Sequence, residues 1–495
     1  MKAKRIAAFG LAAVTAMSMV ACGGNGDGNS TSGNGGDTAA NQGHNDVINI
    51  GTWWEQHYDS GDTSLEDSDD YAVAQNSAAS DDPAKKAEGE FNLMVAQKKW
   101  DALKAVEETY NTKIYWQNLT YEGVKDSINT SILAGAPDCQ IYLADTSMAV
   151  PAQMNGLAVD LKTILPADHD IFTSKINVGY LDLGDGKACI FYRNGGEGTV
   201  AGTYPLGFNL QMLEANNLED PRDLWEKGEW TWDKFNEYCQ ILTQDTDGDG
   251  VIDQYGYTGF KNETLGELMM SNGATIAVPG SPEGLSSAAT GEALQEMYDL
   301  YNTYNVCAPY DNEADANATR TEYANGNIGF FPCAAWIQDT SGDYDWMGQN
   351  GGPKLDWDVC YVRWPVGPSG NKDTNAGKNA TTSSEFYIIP VGVQNPAEIF
   401  NAIYDMWNWY DLDTTVRDDK SALNWWYSVT SAKPELQQKN FDVMNDCGTK
   451  TVLDFWQSVG VEYDLYDIIT GEKTPAQFQE TYKNPFQDGL DAYFN

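Results

Sequence analysis

The nine residues "DTDGDGVID", from Asp245 to Asp253, place four aspartates in one short loop. Calcium takes six to eight oxygen ligands, and the pattern D-x-D-x-D-G-x-x-D offers four carboxylates and one backbone carbonyl around a sharp glycine turn. The predicted ligands are Asp245, Asp247, Asp249, the carbonyl of Val251 and Asp253. We therefore predict one bound Ca²⁺; the alternative is an acidic turn surrounded only by water.

This loop lacks the features of an EF-hand switch. Its twelfth position is Gly256, where an EF-hand has a bidentate glutamate. The following residues, "QYGYTGF", are typical of a strand rather than of a second helix. The expected role of the ion is therefore to stabilise a loop, and not to open a groove.

Aromatic residues at strand ends form a second set of candidates. Sugars stack their C–H faces on flat rings and bond their hydroxyls to carboxylates and amides, so a sugar site needs both. Trp53, Trp54 and Glu55 follow one strand-like segment, and Asp145 follows another. Open α/β sheets bind ligands at the carboxyl ends of their strands. We predict that at least one of the two tryptophans faces a ligand; the alternative is that it covers its own core.

Composition narrows the possible partners. The chain has 495 residues and a formal net charge of −43, which argues against nucleic acid and disfavours anionic ligands. The sequence has no Gly-x-Ser-x-Gly, P-loop, dinucleotide fingerprint or His–Glu metal motif. A glycosidase needs only two suitably spaced carboxylates, and 73 acidic residues leave that alternative open.

The N-terminus has the pattern of a processing signal. Basic residues are followed by an apolar run, and "MVAC" then places a small residue before Cys22, as in a bacterial lipoprotein signal. We predict that residues 1–21 are a signal peptide, that Cys22 carries lipid and that residues 22–45 are a flexible tether. The protein is then expected at the extracellular face of the cell membrane. The alternative is an ordinary signal peptide with a chance cysteine.

The rest of the chain alternates between strand-like and helical patterns. "DVINIGTWW", "KIYWQNL" and "DCQIYLAD" have the pattern of strands, and helical spacings separate them, as at Val124, Ile128 and Ile132. This order predicts an α/β fold. Residues 59–90, rich in Asp, Ser and Ala, are predicted to be a surface insertion, followed by a helix over about 96–110.

Seven cysteines besides Cys22 occur in mostly apolar contexts, and we expect them to be buried small apolar residues. They are Cys139, Cys189, Cys239, Cys307, Cys333, Cys360 and Cys447. An odd number cannot all pair within one chain, and the absence of Cys-x-x-Cys makes a zinc site a poor explanation.

Six segments follow one another in the order of a known family. They are "SILAGAPDCQIYLAD", "GFNLQMLEANNL", "TWDKFNEYCQILT", "YANGNIGFFPCAAW", "VRWPVGPSG" and "SSEFYIIP". Together with the lipoprotein-like start, they resemble the family 1 extracellular solute-binding proteins, the carbohydrate-binding subunits of ABC importers. The resemblance implies a two-lobed periplasmic-binding-protein type II fold. Lobe 1 would take residues 46–195 plus 366–412, and lobe 2 residues 196–365 plus 413–495.

The same resemblance implies further ligand-binding residues. Trp336 matches a sugar-stacking tryptophan of the family, and Trp456 resembles its late aromatic platform. Arg193 and Glu197 lie near the first expected crossing between the lobes. Glu385 is a further candidate, with a solvated residue at a strand start as the alternative.

The function implied is delivery of a neutral oligosaccharide to the permease of an ABC transporter, by a monomer that makes and breaks no bond. Two alternatives remain at this stage. One is a glycoside hydrolase anchored at the surface, and the other is an adhesin or sensor that binds glycan without delivering it.

Overall fold

The computed structural model describes residues 43–53, 65, 69–81, 83–195, 202–309, 323–334, 357–382, 385–418 and 434–494. The strands are β1 (Val47–Thr52), β2 (Lys113–Asn118), β3 (Ile141–Ala144), β4 (Val178–Tyr180), β5 (Phe191–Arg193), β6 (Leu206–Asn209), β7 (Tyr255–Tyr257), β8 (Ile328–Pro332), β9 (Val359–Val362), β10 (Lys378–Asn379), β11 (Phe386–Ile388) and β12 (Thr451–Val452).

Helices connect and cover these strands. They are α1 (Asp69–Ala78), α2 (Pro83–Thr109), α3 (Tyr121–Thr130), α4 (Thr146–Met154), α5 (Leu210–Ala215), α6 (Pro221–Lys227), α7 (Trp232–Leu242), α8 (Lys261–Ser271), α9 (Ala288–Tyr298, continued by a π-helical turn Asp299–Thr303), α10 (Pro396–Trp407), α11 (Thr414–Arg417), α12 (Pro434–Thr449), α13 (Tyr466–Ile469) and α14 (Pro475–Phe494). In the described part of the chain, no helix has both the length and the apolar character that crossing a bilayer requires.

The strands form two main sheets. The first has the order β2-β1-β3-β11-β5-β4, and the second the order β7-β8-β6-β9. In the first sheet β1 is parallel to β2 and β3, whereas β11 is antiparallel to both of its neighbours. A third, two-stranded sheet pairs β10 with β12. The predicted α/β class is confirmed, while the residue boundaries of the lobes stay a prediction.

Alternation along β1 explains how the first sheet is buried. Ile48 and Ile50 lie on one face, and both pack in an apolar cluster with Leu103 and Val106 of α2. Every second side chain of a strand lies on the same face, and every third or fourth side chain of a helix does. The apolar residues of β1 and α2 therefore face each other. The three strands expected near residues 47, 113 and 141 all form.

The structure adds helices to residues 59–90, whose role as a surface insertion stays a prediction. Residues 69–78 form α1, and α2 begins at Pro83, well before the helix start expected near residue 96. Ala74 in α1 is buried. These helices were not predicted, because the segment is rich in acidic and small residues and its apolar periodicity is weak. Packing between the two helices stabilises them instead.

Candidate functional site

The carboxyl ends of the three parallel strands bring three polar or aromatic side chains to one edge of the first sheet. Trp53 follows β1, Tyr121 begins α3 after β2, and Asp145 follows β3. The rings of Trp53 and Tyr121 meet edge to face with centroids 5.6 Å apart. Trp53 is half-buried and packs on the core. Tyr121 contacts both Trp53 and Asp145.

Asp145 is held by a local hydrogen-bond network. Its carboxylate accepts from the Tyr121 hydroxyl at 2.8 Å and from the Ser147 hydroxyl at 2.6 Å. It also caps α4 by accepting from the backbone N–H of Met148 at 3.2 Å. A carboxylate fixed by donors in this way is already oriented before any ligand arrives.

Helix α8 presents two glutamates on one face. Glu263 and Glu267 are four residues apart, which places their side chains one turn from each other. Glu267 is only 3% exposed, and burial raises the pKa of its carboxyl well above the usual value, with Glu263 raising it further. Burial also raises the pKa of Glu263. Both carboxyls therefore resist ionisation as long as no partner compensates the charge.

Among the described residues, Arg363 exerts a favourable charge on Glu267 without a hydrogen bond to it. Arg363 lowers the pKa of the Glu267 carboxyl, but the Arg363 guanidinium donates its hydrogen bonds to Asp446 and Asn375. No hydrogen bond joins the Glu267 carboxyl to any residue within the described ranges.

The segment after β12 supplies a buried carboxylate and an aromatic ring. Asp454 accepts from the backbone N–H groups of Ile276, Ala277 and Trp456 at 2.8, 2.7 and 3.1 Å. Burial nevertheless raises the pKa of Asp454 to about 6. The Asn379 side chain donates to the Asp454 carbonyl at 2.6 Å and accepts from its N–H at 3.0 Å, so this turn is held on both sides.

These groups line one cavity of about 390 Å³. The lining residues are Tyr121, Asp145, Thr146, Ser147, Gly202, Tyr204, Asn262, Glu263, Gly266, Glu267, Met269, Met270, Ala274, Asn379, Thr381, Val452, Asp454, Trp456, Gln457 and Ser458. They come from the carboxyl edge of the first sheet on one side and from α8 and the 452–458 segment on the other. Four carboxyl groups are among them, and no lysine, arginine or histidine is.

Two hydrogen bonds connect Thr146, which lines this cavity, to residues after β12. The Thr146 hydroxyl at the start of α4 lies 2.8 Å from the Ser458 hydroxyl. The Tyr493 hydroxyl, near the end of α14, donates to the carbonyl of Thr146 at 2.6 Å. The start of α4 is therefore the point at which the first-sheet side contacts the segments that follow β12.

Two of the sequence-predicted ligand residues line the cavity. Asp145 does so through the network described above, and Trp456 does so although it is 3% exposed. The Trp456 ring packs against Tyr463, with centroids 5.4 Å apart and planes inclined by 32°. Trp456 therefore has little exposed surface, and its role as an open aromatic platform stays a prediction.

Arg193 and Glu385 lie away from this cavity and pair with each other. Arg193 ends β5 and Glu385 precedes β11, the neighbouring strand, and their side chains form an ion pair. The Arg193 guanidinium also lies over the Trp407 ring, 6.0 Å from its centroid. Their shared sheet accounts for both residues without a ligand, and a direct ligand role stays a prediction.

Four other predicted ligand residues, Trp54, Glu55, Glu197 and Trp336, lie outside the described residues, as does Cys22.

Sequence reasoning missed Glu263, Glu267 and Tyr121 as cavity residues. A signal for Glu267 exists: it stands between Leu265 and Leu268 in an otherwise apolar helical stretch. An ionisable residue on the buried face of a helix is uncommon without a partner.

The aspartate loop is exposed and ordered by its own backbone. Asp245 accepts from the N–H groups of Gly248 and Gly250 at 2.6 and 2.8 Å, and these bonds lower the pKa of its carboxyl. Carboxylate oxygens of Asp245, Asp247 and Asp253 lie within 4.8 Å of one another, close enough to share a metal ion. Asp249 is not part of this group, and its carboxylate accepts from the N–H of Val251 at 2.8 Å.

Comparison with solved structures identifies the architecture. The chain is similar to the maltose/maltodextrin-binding domain MalE from Bdellovibrio bacteriovorus bound to maltotriose, with a TM-score of 0.51, 13% identity and coverage of 90% of this chain and 99% of that one. It is similar to UspC of M. tuberculosis, with a TM-score of 0.54, 12% identity and coverage of 90% and 100%. It is also similar to a cyclo/maltodextrin-binding protein complexed with maltotetraose. The TM-score is 0.53, the identity is 11%, and the match covers 91% of this chain and 98% of that one.

This chain has the fold of two-lobed solute-binding proteins. At 11–13% identity the likeness shows the fold alone. No family model and no curated protein matches the sequence. The two-lobed type II architecture expected from the six sequence segments is thereby confirmed.

Proposed function

We propose that this protein binds a carbohydrate outside the cytoplasm and delivers it to the permease of an ABC transporter, without chemical turnover. The observation that carries the proposal is the cavity between the first-sheet edge and α8, within a fold shared with proteins solved in complex with maltotriose and maltotetraose. Delivery of the ligand follows from lobe closure around it, which gives a permease a surface to recognise.

The chemistry of the cavity supports a carbohydrate without negative charge. Asp145 and Glu263 supply carboxyl groups for hydroxyls, and Tyr204 and Trp456 place aromatic residues in the lining. Four carboxyl groups without a lysine, arginine or histidine disfavour phosphorylated sugars and uronic acids. The local charge thus agrees in sign with the net charge of the whole chain.

A thermal-shift screen against a glycan library tests this function, because a ligand that binds only the folded state raises the melting temperature. Calorimetry then gives the affinity, and product analysis after prolonged incubation reports turnover. Binding without product is the expected result. Released product supports the surface hydrolase instead, and the absence of binding to every glycan contradicts the proposal. Uptake of the bound glycan by cells with and without this protein separates delivery from adhesion or sensing.

Sugar stacking by Trp336, with Trp53 or Trp54, is a finer part of the proposal. Truncating one stacking residue to alanine is expected to weaken binding by about 1–3 kcal/mol, or roughly 5- to 150-fold. Calorimetry on Trp336→Ala, Trp53→Ala and Trp54→Ala measures this, and circular dichroism checks the fold. Wild-type affinity in a folded Trp336→Ala variant removes that residue from the site, and the same result for both others rejects aromatic stacking at this edge.

Lipid attachment at Cys22 is proposed from the residues that precede it. Mass spectrometry of the native protein is expected to find an acylated N-terminal cysteine. Retention of Met1 in the mature chain, or unchanged behaviour of Cys22→Ser in membrane fractionation, contradicts it.

A structural Ca²⁺ at the aspartate loop is proposed from its spacing and from the three converging carboxylates. Asp245, Asp247 and Asp253 would hold the ion, with the Val251 carbonyl as a further oxygen ligand. The ion would neutralise the repulsion between the carboxylates and fix the loop between α7 and β7.

A further inference from the structure

The cavity contains a buried carboxyl for which the fold provides no hydrogen-bond donor. Glu267 is 3% exposed, lines the cavity and has no hydrogen-bond partner in the part of the chain that the structure describes. By contrast, the cavity carboxylates Asp145 and Asp454 each accept three hydrogen bonds from the protein. An unpartnered buried carboxyl is unfavourable unless something outside the chain completes it.

Its neighbour on the helix carries the same kind of group. Glu263 lies one turn earlier on the same face of α8 and lines the same cavity. Side chains four apart on a helix have Cβ atoms about 5–6 Å apart, so one small group can contact both carboxyls. A hydroxyl donates one hydrogen bond, whereas an ammonium donates three and carries the opposite charge.

The described lining of the cavity carries no cationic side chain, since no lysine, arginine or histidine is among its residues. Burial raises the pKa values of both glutamates, and a bound cation would lower these pKa values again.

A metal ion fits these residues less well than an organic cation. Within the described residues, the group of three or more potential metal ligands whose oxygens converge within 4.8 Å is the exposed Asp245, Asp247 and Asp253 set, and not the glutamates of α8. A protonated amine needs no such convergence, because its donors can point to two separated carboxyls.

We propose that Glu267 and Glu263 form a subsite for a protonated amino group of the ligand, so that the carbohydrate bound is an amino sugar. This rests on the proposed carbohydrate-binding function and specifies its ligand class further. It replaces the wholly neutral ligand expected from net charge with one that is positively charged at a single position. The carboxyls pair with the ammonium, while Asp145 remains for hydroxyls.

The test compares matched oligomers by calorimetry at pH 6.5. The probes are β-1,4-linked tetramers of glucosamine, N-acetylglucosamine and glucose, with maltotetraose as a neutral α-linked reference. The free amine is expected to bind at least about tenfold tighter than its acetylated and hydroxyl counterparts, because truncating one partner of a buried charged pair typically has an effect of this size or larger.

Variants assign the preference to the proposed groups. Glu267→Gln keeps the shape and removes the charge, so it should abolish the preference for the amine over the glucose oligomers. Glu263→Gln should reduce the preference. Glu237→Gln is the matched control, because Glu237 lies on α7, is exposed and pairs with Lys234 outside the cavity. Thermal unfolding confirms that each variant is folded.

The outcomes are distinguishable. Equal or tighter binding of the neutral oligomers, or an amine preference that survives in Glu267→Gln, overturns the amine subsite and leaves the carbohydrate-binding function standing. Failure of every oligomer to bind the wild-type protein overturns the amine subsite, and failure of the whole glycan library contradicts the carbohydrate-binding function itself.

Discussion

Two acidic regions of this molecule behave in opposite ways. In the aspartate loop, exposed carboxylates accept backbone N–H groups, and these bonds lower the pKa of Asp245. In the cavity, burial raises the pKa values of Glu263, Glu267 and Asp454. The residue types are alike and the environments are not. Exposure and the supply of donors, rather than the number of acidic residues, decide what a carboxyl group can do.

The largest expected effect concerns the buried region. Asp454→Ala leaves the N–H groups of Ile276, Ala277 and Trp456 without their acceptor, and removing acceptors from several buried donors should lower the free energy of unfolding by about 4 kcal/mol. Urea unfolding at pH 7 measures this. Asp488→Ala, an exposed aspartate on α14, should change it little. Equal effects of the two substitutions would show that burial does not separate the two kinds of carboxyl.

The second effect is the pH dependence of the contribution that Asp454 makes to the free energy of unfolding. The pKa of Asp454 is about 6 in the folded protein and near 3.8 in the unfolded chain, so the folded state binds the extra proton between these values. Its contribution to stability is therefore greatest below about pH 4 and decreases until about pH 6. At 1.36 kcal/mol per pKa unit the decrease is about 3 kcal/mol.

Comparison of the wild type with Asp454→Asn isolates this contribution, because all other acidic groups are common to both proteins. The stability of the wild type relative to the variant should fall between pH 4 and pH 6.5. A constant difference across this range, or a rise with pH, contradicts the raised pKa.

The third effect lies in the exposed loop and depends on calcium. At a free Ca²⁺ concentration 100 times the dissociation constant, binding to the folded state should add about 2.7 kcal/mol to the free energy of unfolding. Chelator should remove this, and Asp247→Ala should abolish the response. Asp373→Ala, at an exposed aspartate elsewhere, is the control and should respond like the wild type. An unchanged metal content and melting temperature in Asp247→Ala rejects the site.

The smallest effect is expected in the same loop without metal. Asp247→Asn, measured in chelator, should raise the free energy of unfolding by no more than about 0.5 kcal/mol, because solvent screens repulsion between exposed carboxylates. The gain should shrink further at high salt. A gain of several kcal/mol would mean that exposed and buried carboxyls in this protein experience similar electrostatics.

Local patterns were enough to predict the strands that surround the site. Ile48 and Ile50 alternate with other residues as in a strand, and Asp145 directly follows an apolar strand. The sequence alone therefore shows the alternation of β1 and the polar residue at the end of β3. Glu267 was not predicted as a site residue, because its role depends on what α8 faces in three dimensions. Arg193 and Glu385 are 192 residues apart, and only the pairing of β5 with β11 in the sheet brings them together.

The position of β11 also has a consequence for how the molecule is built. This strand, residues 386–388, lies between β3 and β5, whose residues precede it by about two hundred positions or more. During synthesis the first sheet thus stays divided, with two unpaired strand edges, until the whole second sheet has been made. The nascent chain must keep those edges from pairing with other chains, and we expect fragments that end before residue 386 to aggregate instead of folding.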